Sequence, residues 1–225
     1  MSSDGLLSRL VGRAAVAGID LSPSLATRLE SYYRLLAHWN ASINLTALQL
    51  DPLTDHALDR LLIEPLAAAP YIPISATTVP TWFDLGSGGG SPAIPLKLAR
   101  PSARLTMVES RERKAAFLRE AIRTLELEES AVEASRIEAV AANHPLAGSI
   151  DVITIRAVRI DPSLFGSVRS LLRSRGQVIL FGAKRADLSI PRDFEVVENS
   201  AQSARRGPSD IILLQRTAHD VPRGT

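Results

Sequence analysis

The sequence predicts an α/β fold with a doubly wound, largely parallel sheet of seven strands, preceded by an N-terminal helical extension. Three observations lead to this fold class. Apolar residues recur at helical spacing through the first 75 residues. From about Val79 onward, apolar runs of strand length alternate with helical stretches, as in sheets whose strands are joined by crossover helices. The first of these runs ends in a glycine loop, Gly86-Ser87-Gly88-Gly89-Gly90.

The N-terminal extension carries three helical signals. A short opening helix is expected at 6–14. Ser22 and Pro23 form an N-cap and first-turn pair. They precede one apolar helical face, which consists of Leu25, Leu29, Tyr32, Leu36 and Trp39. Asp51 with Pro52 indicates a further helix start, and Pro65 is expected to kink or break that helix because proline has no N–H to donate.

The seven predicted strands lie at 82–85, 105–109, 131–134, 151–155, 177–181, 194–197 and 211–215. Helices are expected at 92–98, 111–125 and 161–172, and the last is predicted to start with Asp161 as N-cap and Pro162 in its first turn. No strong helix separates the last two strands, which predicts an antiparallel hairpin at the edge of the sheet. Because a Pro-, Ser- and Thr-rich linker occupies 72–80, we expect a helical cap at 1–75, a ligand-binding sheet domain at 76–217 and a flexible tail at 218–225.

Composition argues against several classes of protein. The 225 residues include no apolar run long enough to span a bilayer and no start typical of a secretion signal, so we expect a cytoplasmic protein without a membrane segment. Cysteine is absent, which removes disulfides, thiolate metal sites and cysteine nucleophiles. The four histidines do not fall at metal-ligand spacing, so we expect no bound metal.

Basic residues are concentrated in two stretches, although the formal net charge is only +2. Residues 156–185 hold seven bases and one acid, a local charge of +6, and residues 100–119 hold six bases and two acids, a local charge of +4. Such clusters on a near-neutral chain indicate a surface that binds a polyanion. Solvated helix faces with unrelated positions explain the same counts equally well.

The glycine loop predicts a nucleotide-like ligand, because glycines let the backbone approach a ligand closely. Glu109 lies at the end of the next strand, 23 residues beyond Gly86. This is close to the spacing of roughly 20 residues at which a carboxylate binds ribose hydroxyls. The ligand is therefore expected to contain an adenosine-type group.

Two adenosine-containing ligands compete for this loop. A dinucleotide needs Gly or Ala where Ser91 stands, and Pro92 crowds the helix start whose amides would bind a pyrophosphate. S-adenosylmethionine has no phosphate, and its amino group suits an acid at the end of the first strand, here Asp84. The spacing Asp-x-Gly-x-Gly-x-Gly therefore favours S-adenosylmethionine. Its predicted binding residues are Asp84, Gly86, Gly88 and Glu109.

Several motifs follow one another in order between about residues 35 and 185. They are Trp39-Asn40, Asn44-Leu45-Thr46-Ala47, the run from Phe83 to Gly90 with Pro92, Ile94 and Pro95, Arg113-Lys114 with Phe117-Leu118-Arg119, Ser135-Arg136 and Arg156-Ala157. Jointly, these motifs resemble the bacterial glucose-inhibited division protein B family. Family members methylate N7 of a guanine in 16S ribosomal RNA of the small subunit.

The resemblance implies a class I methyltransferase fold, Rossmann-like, with S-adenosylmethionine as cofactor and 16S ribosomal RNA or the small ribosomal subunit as partner. Carried over by position, it places at the cofactor Gly86, Ser91, Ile137, Glu138 and Arg156. The chain departs from the family pattern at Ser91, where leucine is usual. It departs again at Arg60-Leu61, where the family has an Arg-His pair, and at Glu64-Pro65, where the family has an Asp-Ser pair.

Guanine N7 has a lone pair and no proton, so its methylation needs no general base and depends on positioning. Methylation of a pyrimidine C5 usually needs a cysteine, and transfer to an exocyclic amine usually uses an Asn/Asp-Pro-Pro-Tyr loop, which residues 154–158 lack. Arg156 would bind the cofactor, orient guanine through O6, or close the strand end by pairing with a neighbouring acid. The residues predicted for catalysis and substrate contact are Arg136, Arg156 and Lys184.

Two other functions stay open at the level of sequence. An NAD(P)-dependent oxidoreductase would use the same kind of glycine loop. A non-catalytic RNA-binding protein could retain the fold, because fold does not fix function. For the methyltransferase we expect a monomer that binds neither a membrane nor a metal ion.

Overall fold

The computed structural model describes residues 3–75, 77–197 and 211–218. Its centre is one seven-stranded sheet with the order β3-β2-β1-β4-β5-β7-β6. The strands are β1 Thr81–Leu85, β2 Arg104–Val108, β3 Ser130–Glu133, β4 Ile150–Arg156, β5 Leu172–Phe181, β6 Phe194–Val196 and β7 Ile211–Arg216. Strands β1 to β5 pair in parallel, whereas β7 is antiparallel to both β5 and β6. The predicted fold class and the terminal hairpin are confirmed.

The helices are α1 Ser3–Val16, α2 Pro23–Asn40, α3 Asp55–Leu58, α4 Glu64–Ala68, α5 Ala93–Ala99, α6 Glu112–Thr124, α7 Ile137–Asn143 and α8 Pro162–Leu171. The predicted caps at Ser22 and Asp161 are confirmed, since each side chain accepts a hydrogen bond from the N–H three residues on, at 3.3 and 3.0 Å. Helix α7 has no counterpart in the sequence prediction, because it is short and buries only Val140 and Ala141.

The predicted helix start at Asp51 and Pro52 is wrong. Thr54 caps α3 instead, and its hydroxyl accepts a hydrogen bond from Ala57 N–H at 3.1 Å. Pro65 does not break the helix, because a π-helical turn, Asp59–Ile63, joins α3 to α4. Pro65 then falls in the first turn of α4, where a missing N–H is tolerated.

Two hydrophobic clusters cover the two faces of the sheet. Trp82 and Phe83 are neighbours in β1 and point to opposite clusters, as strand geometry requires. The first cluster joins one face to α1, α2, α5, α6 and the segment 57–69, and the second joins the other face to α7 and α8. The domain boundary at residue 75 stays a prediction, although the first cluster contains residues from both sides of it. The predicted tail lies outside the described residues except for Ala218.

Candidate active site

The loop after β1 takes backbone conformations that favour glycine. Gly86, Gly88 and Gly90 have φ angles of +75°, +54° and +84°. A Cβ at Gly86 would lie 2.5 Å from Cγ2 of Val158, so no side chain fits there without displacing the Val158 side chain. The N–H groups of Gly86 and Ser87 both donate to the carbonyl of Val108, at 2.9 and 3.0 Å. The loop is therefore fixed to the end of β2.

A cleft of about 720 Å³ opens beside this loop, at the carboxyl ends of the central strands. Strand β1 lies between β2 and β4, so the chain passes from one half of the sheet to the other at this point. Ligands of doubly wound sheets bind at such switch points, and ligand sites commonly measure about 300–1,000 Å³. The cleft thus has the position and size of a ligand site.

Glu109 is held rigidly at the edge of the cleft. Its Oε2 accepts a hydrogen bond from Gly88 N–H at 2.9 Å, and its Oε1 accepts one from Arg111 N–H at 2.8 Å. The residue is 7% exposed and lines the cleft. Each carboxylate oxygen retains acceptor capacity, since an ionised carboxylate offers about four lone-pair sites.

The N-terminal helices form a second wall of the cleft. The hydroxyl of Tyr32 donates to the carbonyl of Gly89 at 2.7 Å, and burial raises the pKa of Tyr32, so the hydroxyl keeps its proton. Asn40 Oδ1 accepts hydrogen bonds from the N–H groups of Leu45 and Thr46, both at 2.9 Å. This side chain holds the segment 45–48 where it lines the cleft.

Arg156, at the end of β4, is paired with the N-terminal helices. Its Nη2 donates to Glu64 Oε2 at 2.8 Å, and its Nη1 donates to the carbonyl of Arg60. Arg60 Nη1 in turn donates to Glu64 Oε1 at 2.8 Å. The guanidinium of Arg156 lies 4.8 Å from the ring centroid of Phe181. Burial lowers the pKa of Arg156, and the neighbouring Glu64 carboxylate opposes that shift.

Asp84 lies beneath the cleft and is not among the residues that line it. It is 1% exposed, and its Oδ1 accepts a hydrogen bond from Thr154 Oγ1 at 2.5 Å. Thr154 in turn accepts one from Trp82 Nε1 at 2.9 Å. Burial raises the pKa of Asp84 to about 6. Among the described residues, two buried side-chain atoms lack a hydrogen-bond partner, Asp84 Oδ2 and Arg156 Nε.

The structure brings six of the ten predicted site residues into the cleft. They are Gly86, Gly88, Ser91, Glu109, Ile137 and Arg156. The exposed side chains of Arg136 and Glu138, at the start of α7, are not among its lining residues. Lys184 lies in a smaller cavity next to the cleft. Arg156 pairs with an acid, which was one of its three predicted roles, and that acid, Glu64, comes from the N-terminal helices.

Sequence reasoning missed the contribution of the N-terminal helices to the site. Arg60 and Leu61 line the cleft, and Glu64 bridges Arg60 to Arg156. The only local signal was the spacing of four residues between Arg60 and Glu64, which brings two charges together on any helix. That spacing does not show that Glu64 is buried.

The described part of the chain contains no group of three His, Cys, Asp or Glu residues arranged to hold a metal ion. Among its helices, none combines the length and the apolar character needed to cross a membrane.

Comparison with known proteins gives consistent matches. A family model described as rRNA small subunit methyltransferase G matches residues 25–204. The ribosomal RNA small subunit methyltransferase G of Pseudomonas entomophila is 32% identical over 206 residues, which cover 89% of this chain and 91% of the relative. The protein of the same name from Xanthomonas axonopodis pv. citri is 38% identical over 180 residues, 79% of either chain.

Solved structures agree on the fold. A methyltransferase from Geobacter sulfurreducens superposes with a TM-score of 0.53 at 15% identity, covering 84% of this chain and 90% of that one. A proposed S-adenosyl-L-methionine-dependent methyltransferase from Methanococcus maripaludis superposes with a TM-score of 0.50 at 17% identity, covering 70% and 87%. At these identities the likeness concerns the fold alone.

Proposed function

The chain belongs to the rRNA small subunit methyltransferase G family, and on this premise we propose that it transfers the methyl group of S-adenosylmethionine to N7 of a guanine in 16S ribosomal RNA. Family membership confirms the resemblance found in the sequence motifs. It favours a methyltransferase over the nicotinamide-dependent oxidoreductase. It also favours an enzyme over a non-catalytic RNA-binding protein.

The observation that carries the proposal is the cleft at the switch point of the sheet, between the glycine loop and Glu109. The residues present fit a nucleoside-containing cofactor. Gly86 and Gly88 line the cleft without side chains, so a ligand can approach their backbone closely. At the edge of the cleft, the Glu109 carboxylate is oriented by two backbone N–H groups and keeps acceptor capacity for a ligand that carries donor groups.

In this proposal Glu109 binds the ribose hydroxyls with its remaining acceptor capacity, and Ile137 provides an apolar contact for the adenine. Ser91 already donates its hydroxyl to the carbonyl of Leu61 at 2.9 Å, so it offers a ligand its backbone rather than that proton. When bound, S-adenosylmethionine would supply an electrophilic methyl group. Glu138 was predicted to contact the cofactor and Arg136 the substrate. Because both lie at the start of α7, outside the cleft, they would have to make these contacts with a part of the ligand or RNA that extends beyond it.

In this proposal the protein accelerates methyl transfer by positioning the guanine against the methyl group of the cofactor. Because guanine N7 carries no proton, no residue has to act as a base, and the protein must hold the purine and exclude competing geometries. Arg60, Glu64 and Arg156 together carry a net charge of +1 at the cleft, and Arg111 and Lys114 also line it. A positive cleft suits a ribosomal RNA substrate. We propose that the protein acts as a cytoplasmic monomer.

The test is transfer of labelled methyl groups to small ribosomal subunits that lack the modification, followed by chain cleavage at N7-methylguanine. We expect labelling at one guanine and saturable binding of S-adenosylmethionine, but not NADH, in calorimetry. Gly86→Ala should abolish both S-adenosylmethionine binding and methyl transfer, because the new Cβ would clash with Val158. Gly12→Ala is the matched control, since its Cβ meets no atom within 4 Å. Cofactor binding without any label at guanine N7 would refute the proposal.

A further inference from the structure

A second cavity, of about 340 Å³, lies next to the cofactor cleft. The two cavities share four lining residues, Ala157, Val158, Phe181 and Gly182. These residues follow or end β4 and β5, so the second cavity lies one step further along the sheet from the glycine loop. A group bound there is therefore adjacent to the cleft in which the methyl donor is proposed to bind.

The second cavity has apolar walls and two charged side chains. Val158, Ile160, Phe181 and Leu188 provide apolar and aromatic surface. Lys184 and Asp187 are exposed and lie on one 3-10 turn, Arg185–Asp187 and its N-cap, in which Asp187 N–H donates to the carbonyl of Lys184 at 3.0 Å. Apolar walls for stacking with a few polar groups for a base edge are the features of a site for a flipped-out nucleobase.

We propose that the second cavity binds the target guanine, that Asp187 accepts hydrogen bonds from its N1–H and N2–H₂ groups, and that Lys184 donates to its O6. This assignment rests on the proposed function. In guanine, N7 lies on the five-membered ring, and the N1 and N2 donors lie on the opposite side of the base. A base bound with N7 directed past the four shared lining residues toward the cleft therefore presents its Watson–Crick edge to the part of the second cavity that holds Asp187.

The two charged groups select guanine over adenine. A carboxylate is an acceptor with two oxygens, which matches the two neighbouring donors of guanine, and an ammonium group is a donor, which matches O6. Adenine has an acceptor at N1 and a donor amine at the position of O6, so both contacts would be mismatched. A good bidentate contact to a base commonly changes discrimination by roughly 5- to 150-fold.

The first experiment measures this preference without methyl transfer. Wild-type protein saturated with S-adenosylhomocysteine is titrated with guanosine, inosine and adenosine monophosphates, with ligand-observed NMR as the readout. We expect the guanine nucleotide to bind best and inosine, which lacks the N2 amine, to bind several-fold more weakly. Asp187→Asn should bind the guanine nucleotide at least about tenfold more weakly, because one acceptor becomes a donor. The affinity for S-adenosylhomocysteine should stay within about twofold.

Two further variants guard against a trivial loss of binding. Asp20→Asn makes the same chemical change at an exposed residue that lines neither cavity, and it should behave as wild type. Ile160→Trp places a large side chain in the second cavity from a residue that does not itself line the cleft, so it should block nucleotide binding and keep cofactor binding. Thermal unfolding of each variant confirms that the fold is intact.

Parallel methyl-transfer assays separate this inference from the proposed function. Equal binding of guanosine and adenosine monophosphates to wild type, or an unchanged preference in a folded Asp187→Asn variant, would overturn the guanine site. Wild-type protein that prefers guanine through Asp187 but transfers no methyl group would refute the proposed function and leave the guanine site standing. Transfer that Asp187→Asn leaves unchanged would also overturn the guanine site.

Discussion

At the scale of single residues, Glu64 joins two arginines of the cleft wall, Arg60 and Arg156. Its carboxylate contacts both Arg60 and Arg156 at 2.8 Å, and its side chain is 1% exposed. Removing its charge leaves two neighbouring guanidinium groups with no shared counter-ion. Loss of one member of a buried ion pair commonly costs about 3–5 kcal/mol.

We therefore expect Glu64→Gln to lower the free energy of unfolding by about 3 kcal/mol, measured by urea denaturation. The matched control is Glu112→Gln, which breaks an exposed pair with Arg119. Exposed pairs contribute about 0–1 kcal/mol, so the control should unfold almost as wild type does. Equal losses in the two variants would show that the Glu64 network does not stabilise the cleft wall.

Asp84 is expected to make stability depend on pH. Its pKa is raised by burial from 3.8 to about 6, so the folded state binds the proton more tightly than the unfolded state does. Stability contributed by this group therefore falls as pH rises from about 4 to about 6 and stays low above that range. One pKa unit corresponds to about 1.4 kcal/mol, so the total change is roughly 3 kcal/mol.

Asp84→Asn should remove this dependence. Between pH 4 and pH 7 wild type should lose stability that the variant keeps, so the variant should become more stable relative to wild type as pH rises. Urea titrations at several pH values measure this difference. Asp55→Asn is a control of opposite sign, because a hydrogen bond from Arg9 lowers the pKa of the Asp55 carboxyl. A pH-independent difference for Asp84→Asn would contradict the raised pKa.

At the scale of elements, the π-helical turn explains how the N-terminal helices dock on the sheet. In an α-helix the carbonyl of Arg60 would accept from Glu64 N–H, but that group donates to Asp59 instead. The carbonyl of Leu61 would accept from residue 65, which is a proline. Arg156 and Ser91 supply the missing donors from the sheet side. Two departures from the family pattern, Pro65 and Ser91, thus meet at one carbonyl.

We expect Pro65 and Ser91 to be energetically coupled. Ser91→Ala alone should lose about 1 kcal/mol of stability, because the carbonyl of Leu61 loses its donor. In a Pro65→Ser background an N–H is present at residue 65, so the same change should cost less than half as much in a double-mutant cycle. Ser31→Ala removes an exposed hydroxyl bonded to the carbonyl of Thr27 and should be additive with Pro65→Ser. Additivity at Ser91 would exclude the coupling.

At the scale of the whole molecule, the N-terminal helices and the sheet share one hydrophobic cluster. Leu62 is fully buried in it, so Leu62→Ala should cost about 2–5 kcal/mol. The two tryptophans allow separate observation, since Trp39 lies in α2 and Trp82 in β1. Trp82→Phe leaves Trp39 as the fluorescent reporter of the helices, and Trp39→Phe leaves Trp82 as the reporter of the sheet. In these two backgrounds we expect Leu62→Ala to shift the unfolding midpoint by the same amount. A shift confined to Trp39 would show that the helices unfold separately; exposed Val11→Ala should shift neither.

The charge distribution changes its meaning in three dimensions. The sequence placed local charges of +6 and +4 on two stretches. Among the described residues, four of those bases pair with acids outside their own stretch, Arg104 with Glu129, Arg156 with Glu64, Arg169 with Asp193 and Arg173 with Asp151. Arg111, Lys114 and Arg156 line the cleft. Counts along the chain therefore overstated the charge available to a polyanion, because the paired acids come from elsewhere in the sequence.

Most of the fold could be predicted because its signals are local. Strand positions followed from apolar runs, and the caps at Ser22 and Asp161 followed from residue type. The start of α3 was misplaced because Thr54 competes with Asp51 as a cap, and α7 was missed because seven residues carry too little periodicity. Asp84 was expected to contact the cofactor directly, and its burial beneath the loop depends on packing from both faces of the sheet.

The sequence by itself determined the fold class, the glycine loop and the acid at the end of β2, because turn conformation and hydrophobic period are properties of neighbouring residues. Only the tertiary structure decided what Arg156 does and where Lys184 and Asp187 lie. Arg156 meets Glu64 from 92 residues away, and the second cavity exists only where the ends of β4 and β5 come together. Side-chain partners at such distances depend on how the helices pack on the sheet, which no local pattern records.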